Sequence, residues 1–186
     1  MKKTILTQRI NYDGSQLKPL WAYTQGIEGD SIVVFRGPMN ITDILDLEDR
    51  DKSIRGDDLV HFIVERFDSP ASMRLAYYMQ RLLIVCIQET LQEQGVKVKV
   101  ERKGDDLLVE GKKLTVSIAS AGVSSEKIHC AINITTQGTP QDVETTSLEE
   151  LGIKEEDWQT IAEKAARKFI EETDKIEMDI RKTRSL

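Results

Sequence analysis

Histidine, lysine and carboxylate side chains at strand-like spacing are the groups in this chain best able to do chemistry. His61 and Glu65 stand four residues apart in the β-branched run Leu59–Phe67, so on an extended strand they share a face. His129 and Asn133 share the more polar face of a second such run, with Cys130, Ile132 and Ile134 opposite. Lys113, Thr115 and Ser117 alternate with Leu114, Val116 and Ile118, and the alternation sends the apolar three to the core. Asp105 and Asp106 lie just upstream. An imidazole titrates near neutral pH and can give or take a proton. A lysine on a strand is a point donor to developing negative charge. A curved sheet would gather these groups into one concave surface. Each also has a plainer reading: Lys113 as an exposed lysine guarding a sheet edge, the histidines as hydrogen-bonded structural residues, and Asp106 as a turn residue at a strand start.

A second group is acidic. Asp43, Asp46, Glu48, Asp49 and Asp51 crowd one segment, offset in part by Arg36, Arg50, Lys52 and Arg55. Five carboxylates make a poor cradle for phosphate unless a divalent cation intervenes. Asp46, Glu48 and Asp49 invite a metal hypothesis, with His61 joining if the segment folds back. No fixed ligand spacing is met, so no residue is assigned as a metal ligand, and a solvated acidic surface is the alternative.

The elements that must position these residues follow from periodicity. Thr4–Ile10 predicts a first strand, and the Tyr12-Asp13-Gly14-Ser15 turn opens a short helix reaching Gly26. Ser31–Phe35 is a buried strand. Residues 36–58, opened by Gly37-Pro38 and closed by Gly56-Asp57, read as one long loop, a length that is usually functional. Leu59–Phe67 is the next strand. Ser69-Pro70 signals a helix start, and Leu75, Tyr78, Met79, Leu82, Leu83, Cys86 and Leu91 carry the apolar stripe of a long central helix ending at Gly95. Strands are expected at Val96–Glu101, Leu107–Val109, Lys113–Ala119 and Lys127–Thr135. Ser147–Glu150 has capping-box spacing for a short helix. Glu155–Lys182 predicts a last helix with Trp158, Ile161, Ala165, Phe169, Ile176 and Ile180 on one face. Its acidic start and basic end suit the helix dipole. The class is α+β: a mixed, mostly antiparallel sheet with a long central helix and C-terminal helices.

Composition narrows the function. With 186 residues the chain suits one domain with a real core, its C-terminal helical part spanning 147–182. Net charge is −6 and aromatics are 5% of residues, which argues against a nucleic-acid binder that needs a basic stripe with interleaved aromatics. Cys86 and Cys130 form no close pair and read as buried, reduced thiols. The chain opens Met1-Lys2-Lys3 into a strand, without a leader-like apolar run, and holds no stretch long enough for a membrane span. A cytoplasmic protein is expected, and exposed sheet edges are compatible with a homodimer.

The run Asp105-Asp106-Leu107-Leu108-Val109-Glu110-Gly111-Lys112-Lys113-Leu114 resembles the central signature of biotin and lipoate protein ligases: Asn-Asp, a short apolar strand, a turn, then Lys-Leu. Gly29-Asp30 before Ile32-Val33-Val34, the Leu59–Phe67 strand, the Leu75–Gly95 helix and Ala131-Ile132-Asn133-Ile134 resemble its flanks. The order of elements matches from about residue 15 to 138. Over essentially its full length the chain is identified as a member of the domain-of-unknown-function 366 family. The marks are Tyr12-Asp13-Gly14-Ser15-Gln16-Leu17, Asp46-Leu47-Glu48-Asp49 and His61-Phe62-Ile63-Val64-Glu65.

The ligase resemblance implies activation of a carboxylic acid with ATP and Mg²⁺, with Lys113 stabilising the acyl-adenylate. Arg36, His61, Glu65, Asp105, Asp106, Ser117, His129 and Asn133 would then line the ligand. Two departures weigh against ordinary ligation. Asp105 replaces the signature's asparagine, and the acidic 43–51 segment stands where ligases carry a glycine- and arginine-rich loop. Three functions stay open: acyl or adenylate chemistry, non-catalytic binding of a small molecule or partner, and metal-assisted hydrolysis or transfer at the acidic segment.

Overall fold

A computed structural model describes residues 1–41, 44 and 52–184 of the chain. Among these, β1 (Lys2–Ile5), β2 (Ser31–Ile41), β3 (Ile54–Arg66), β7 (Thr115–Ala121) and β8 (Glu126–Asn133) form one sheet in the order β1-β2-β3-β8-β7. β1 runs parallel to β2, and every other pair in this sheet is antiparallel. β4 (Val100–Lys103), β5 (Asp106–Val109) and β6 (Lys112–Lys113) make a small second sheet. The helices are α1 (Trp21–Thr24), α2 (Met73–Glu93) and α3 (Trp158–Lys182). The expected α+β class holds.

Alternation along the central strands builds the main core. Ile32 and Val34 of β2, Val60, Phe62 and Val64 of β3, and Ile128, Cys130 and Ile132 of β8 are all buried in one cluster. Leu83, Ile84, Ile87 and Leu91 of α2 and Phe169 of α3 close it from above. The residues between them on each strand face the other way. There Phe35, Leu59, Ile63 and Ala131 join Tyr12 and Met39 in a smaller cluster. α2 starts at Met73, where the Ser72 hydroxyl accepts the Leu75 N–H at 3.3 Å and the Ser72 N–H donates to Glu126 Oε1 at 2.6 Å.

Several expectations are corrected. Residues 36–58 are not one loop: β2 runs on to Ile41 and β3 begins at Ile54. Gly37 and Pro38 look like strand breakers, yet each has a place in a strand. The N-terminal segment crosses so close that a Cβ on Gly37 would overlap the Ile10 carbonyl oxygen. The β2–β3 register shifts between Gly37 and Met39, and the Pro38 carbonyl accepts the Tyr12 N–H at 2.9 Å. The acids at 43, 46, 48, 49 and 51 lie outside the described residues. The first strand ends at Ile5, because beyond it only scattered backbone bonds, such as Ile10 N–H to Arg36 O, tie the chain to β2.

The Ser69-Pro70 peptide is cis and the helix cap falls to Ser72 instead. Tyr78 is 65% exposed, and the buried stripe of α2 runs through Ala76, Met79, Leu83, Ile87 and Leu91. The Val96–Glu101 strand is shifted to Val100–Lys103. Ser147–Gly152 is a turn in which the Ser147 hydroxyl accepts the Glu150 N–H, without growing into a helix. α3 outruns the core it packs on, so Ile176 and Ile180 are exposed although they continue its apolar face.

The expected Lys113–Ala119 strand is split. Lys113 pairs with Leu108 in the small sheet, whereas Thr115 pairs with Ile132 in the large one. Leu114 bridges the two, donating its N–H to Leu107 O at 2.8 Å. The break leaves Leu114 and Thr115 both buried, and the alternation restarts in the opposite phase.

Candidate ligand-binding site

The sheet face away from α2 and α3 holds a cavity of about 500 Å³. Its floor is Val116, Ile118 and Ser120 of β7 with His129 of β8, its far wall is Ile41, Ile44 and Ile54, and its roof is the stretch from Tyr12 to Pro19. A mostly apolar concavity with a few convergent polar groups is the usual form of a small-molecule site.

The roof is fixed from within. The Ser15 N–H donates to Asp13 Oδ1 at 2.9 Å, and the Gln16 side chain accepts the Asp13 N–H and donates to Asn11 O. The Ser15 bond holds the Asp13 carboxyl below its ordinary pKa. Tyr12 is pinned across the sheet edge, accepting the Asn40 N–H at 2.9 Å. At its other end the roof is clamped by a buried ion pair of Glu65 with Lys127. Glu65 Oε1 accepts the Leu20 N–H at 3.0 Å and the Ser125 hydroxyl at 3.2 Å, and Lys127 Nζ donates to Lys18 O at 3.1 Å. The clamp holds Leu20 in the left-handed region at φ 64°. Burial lowers the Lys127 pKa, and Glu65 opposes the shift.

Beside the cavity lies a column of stacked rings. Tyr12 stacks on His129 with centroids 3.6 Å apart, and Phe35 stacks on His61 at 4.8 Å. His61 Nδ1 and His129 Nε2 are 3.0 Å apart, and His61 Nε2 donates to Gly37 O at 3.1 Å. Both rings are buried. Desolvation lowers the His61 pKa from 6.5 to about 4, and desolvation with the neighbouring ring takes His129 well below its ordinary value. Both imidazoles are therefore neutral at pH 7, and burial raises the Tyr12 phenol above its ordinary pKa.

The sequence candidates are scattered over the fold. His129 and Ser117 border the cavity, but the Ser117 hydroxyl turns to the helix side, accepting from Gln80 at 2.7 Å and reaching Asp105 at 3.2 Å. Val116 and Ile118, expected in the core, are the residues that line the cavity, because the break at Leu114 inverts the phase of β7. His61 sits behind His129, and Glu65 belongs to the roof clamp. Asp105 is on the α2 side, paired with Arg81 at 2.6 Å. Lys113 is 42% exposed, pairs with Asp106 at 2.9 Å and is not among the lining residues.

Asn133 donates to Thr146 O at 3.0 Å and fastens the end of β8. Arg36 points to the opposite face, where Asp58 and Glu155 bind it. Among the described residues no three His, Cys, Asp or Glu side chains cluster for a metal, and no helix is long and apolar enough to cross a membrane. Tyr12, Lys18, Ile41 and Ile54 line the cavity although no chemical motif in the sequence marks them. The signal available is the Tyr12–Leu17 segment, whose turn chemistry points to a helix start and which is also a mark of the family resemblance.

Comparison with known proteins agrees with the geometry. The family model "Domain of unknown function (DUF366)" matches residues 1–184. An uncharacterized protein of Methanocaldococcus jannaschii is 41% identical, covering 98% of this chain and 84% of its own. A solved protein of unknown function from Pyrococcus horikoshi is also 41% identical, with TM-score 0.92 over 100% of this chain and 99% of its own. The biotin protein ligase of Aquifex aeolicus, solved with biotin and ATP, superposes with TM-score 0.64 at 14% identity over 91% of this chain and 69% of the ligase. A T. acidophilum protein assigned as a lipoate protein ligase, with bound lipoic acid, superposes at 0.60 and 14% identity over 92% of this chain and 85% of its own. The chain has the fold of the biotin and lipoate protein ligases.

Proposed function

The chain belongs to the DUF366 family, and from that premise we propose that it binds a small carboxylic acid in the Tyr12–His129 cavity. The observation that carries this reading is the cavity itself: apolar walls of Ile41, Ile44, Ile54, Val116 and Ile118 beneath a pinned roof, with Lys18 as the cation among its described lining residues. The apolar body of the acid lies against the isoleucines, and its carboxylate is placed toward Lys18. Biotin and lipoic acid, the ligands of the two ligase-fold structures, are acids of this shape.

Acyl transfer through an adenylate is a second reading, favoured by the half-exposed ammonium of Lys113. In that reading the Lys113 Nζ leaves Asp106 to meet the adenylate. Binding comes first because Lys113 is tied to Asp106 outside the cavity, whereas the cavity is already formed.

Thermal unfolding with biotin, lipoate and octanoate tests the binding reading. Acid at a hundredfold excess over its Kd should add about 2.7 kcal/mol of stability. Val116→Trp, which fills the cavity, should abolish the gain. No gain with any of the acids sinks the reading. A further gain with ATP, lost in Lys113→Met, supports adenylate chemistry, and its absence leaves a binding protein.

A further inference from the structure

The two buried imidazoles can each carry a proton on either nitrogen, and one backbone carbonyl decides both. Gly37 O can only accept, so His61 Nε2 bears the hydrogen of the 3.1 Å bond. The ring is neutral, so His61 Nδ1 is a bare lone pair. His129 Nε2, 3.0 Å away, therefore carries its own hydrogen and donates it. A neutral His129 then has no hydrogen on Nδ1, and among the described residues nothing hydrogen-bonds that atom. The ring borders the cavity, and Tyr12, stacked on it at an interplanar angle of 14°, holds its plane.

Resting on the binding reading above, we propose that His129 Nδ1 accepts a hydrogen bond from the ligand, so that the cavity selects acids whose far end carries an O–H or N–H donor: a hydroxyl, an amide or a ureide. His61 is a positioning residue. It never meets the ligand, but it fixes which nitrogen of His129 is left open. The polarity is set by the fold, since only a carbonyl at Gly37 starts the relay in this direction. A carboxylate at this end of the cavity would face that lone pair, so the acid enters with its charged end toward Lys18.

The test pairs two probes of equal length, ω-hydroxyoctanoate and octanoate, titrated calorimetrically into the intact protein. The hydroxy acid should bind roughly five- to tenfold tighter, the worth of one net hydrogen bond. Nitrogen NMR of the histidine rings supplies a readout that affinity does not. In the free protein both rings should show a hydrogen on Nε2 and none on Nδ1. The His129 Nδ1 resonance should then move with ω-hydroxyoctanoate and stay with octanoate. His61→Phe should mix the His129 tautomers and erase the preference.

Equal affinity for the two acids overturns the inference while leaving the binding reading intact, as does a hydrogen on His129 Nδ1 in the free protein. Binding of neither acid overturns both. If His61→Phe does not fold, the wild-type spectra and the probe pair decide alone.

Discussion

The two faces of the central sheet are built from the same strands, one residue out of phase, and they are put to different uses. On the helix face, Ile32, Val34, Val60, Phe62, Val64, Cys130 and Ile132 meet α2 and α3 in a continuous apolar core. On the other face, Phe35, Ile63 and Ala131 alternate with His61, Glu65, Lys127 and His129, covered among the described residues by the single-turn helix α1 and irregular segments that leave a cavity. Polar side chains survive on that face because each is paired: Glu65 with Lys127, His61 with His129 and with a backbone carbonyl. A face with helices to cover it is spent on cohesion. A face without long helices keeps space and functional groups.

That contrast can be broken or sharpened by substitution. The largest effect is expected on the helix face, where Phe62→Ala should cost about 4 kcal/mol in chemical denaturation through the void it leaves. Removing one partner of the roof clamp comes next. Lys127→Met strands a buried carboxylate at Glu65 and should cost about 3 kcal/mol. A double replacement of the pair by apolar residues of similar size should recover most of it. A loss under about 1 kcal/mol for Lys127→Met would mean that the clamp is not buried, and the contrast between the faces would blur.

The third effect, acid sensitivity, vanishes at neutral pH and grows only as pH falls. His61 is held neutral by burial, with its folded pKa of about 4 below the ordinary 6.5, so between these values the unfolded chain binds more protons. Its contribution to stability is complete above pH 6.5 and is lost as pH falls toward 4. Denaturation midpoints across this window should decline in the wild type, and the part due to this ring should disappear in His61→Phe. An unchanged slope in the variant would assign the acid sensitivity to other groups.

Much of the fold was legible without coordinates. The alternation in Leu59–Phe67 put His61 and Glu65 on one face of a strand, and the same rule put His129 and Asn133 on one face of another. Both placements hold, and the long central helix and the C-terminal helix lie where their periodicity pointed. The site was less legible. Gly37-Pro38 looked like the start of a loop because the segment that crosses Gly37 lies 27 residues earlier in the chain, at Ile10. Lys113, Thr115 and Ser117 were grouped as one face because alternation assumes an unbroken strand, and the chain instead changes sheets at Leu114.

The sequence by itself determined the order of the elements, the helix stripes and the two-residue rhythm of the central strands, because these depend on neighbours within a few residues. Only the tertiary structure decided what each rhythm faces. The His61–His129 contact and the roof over Val116 and Ile118 join residues that nothing local relates. One residue of slip, as at Leu114, reverses which side chains see the cavity.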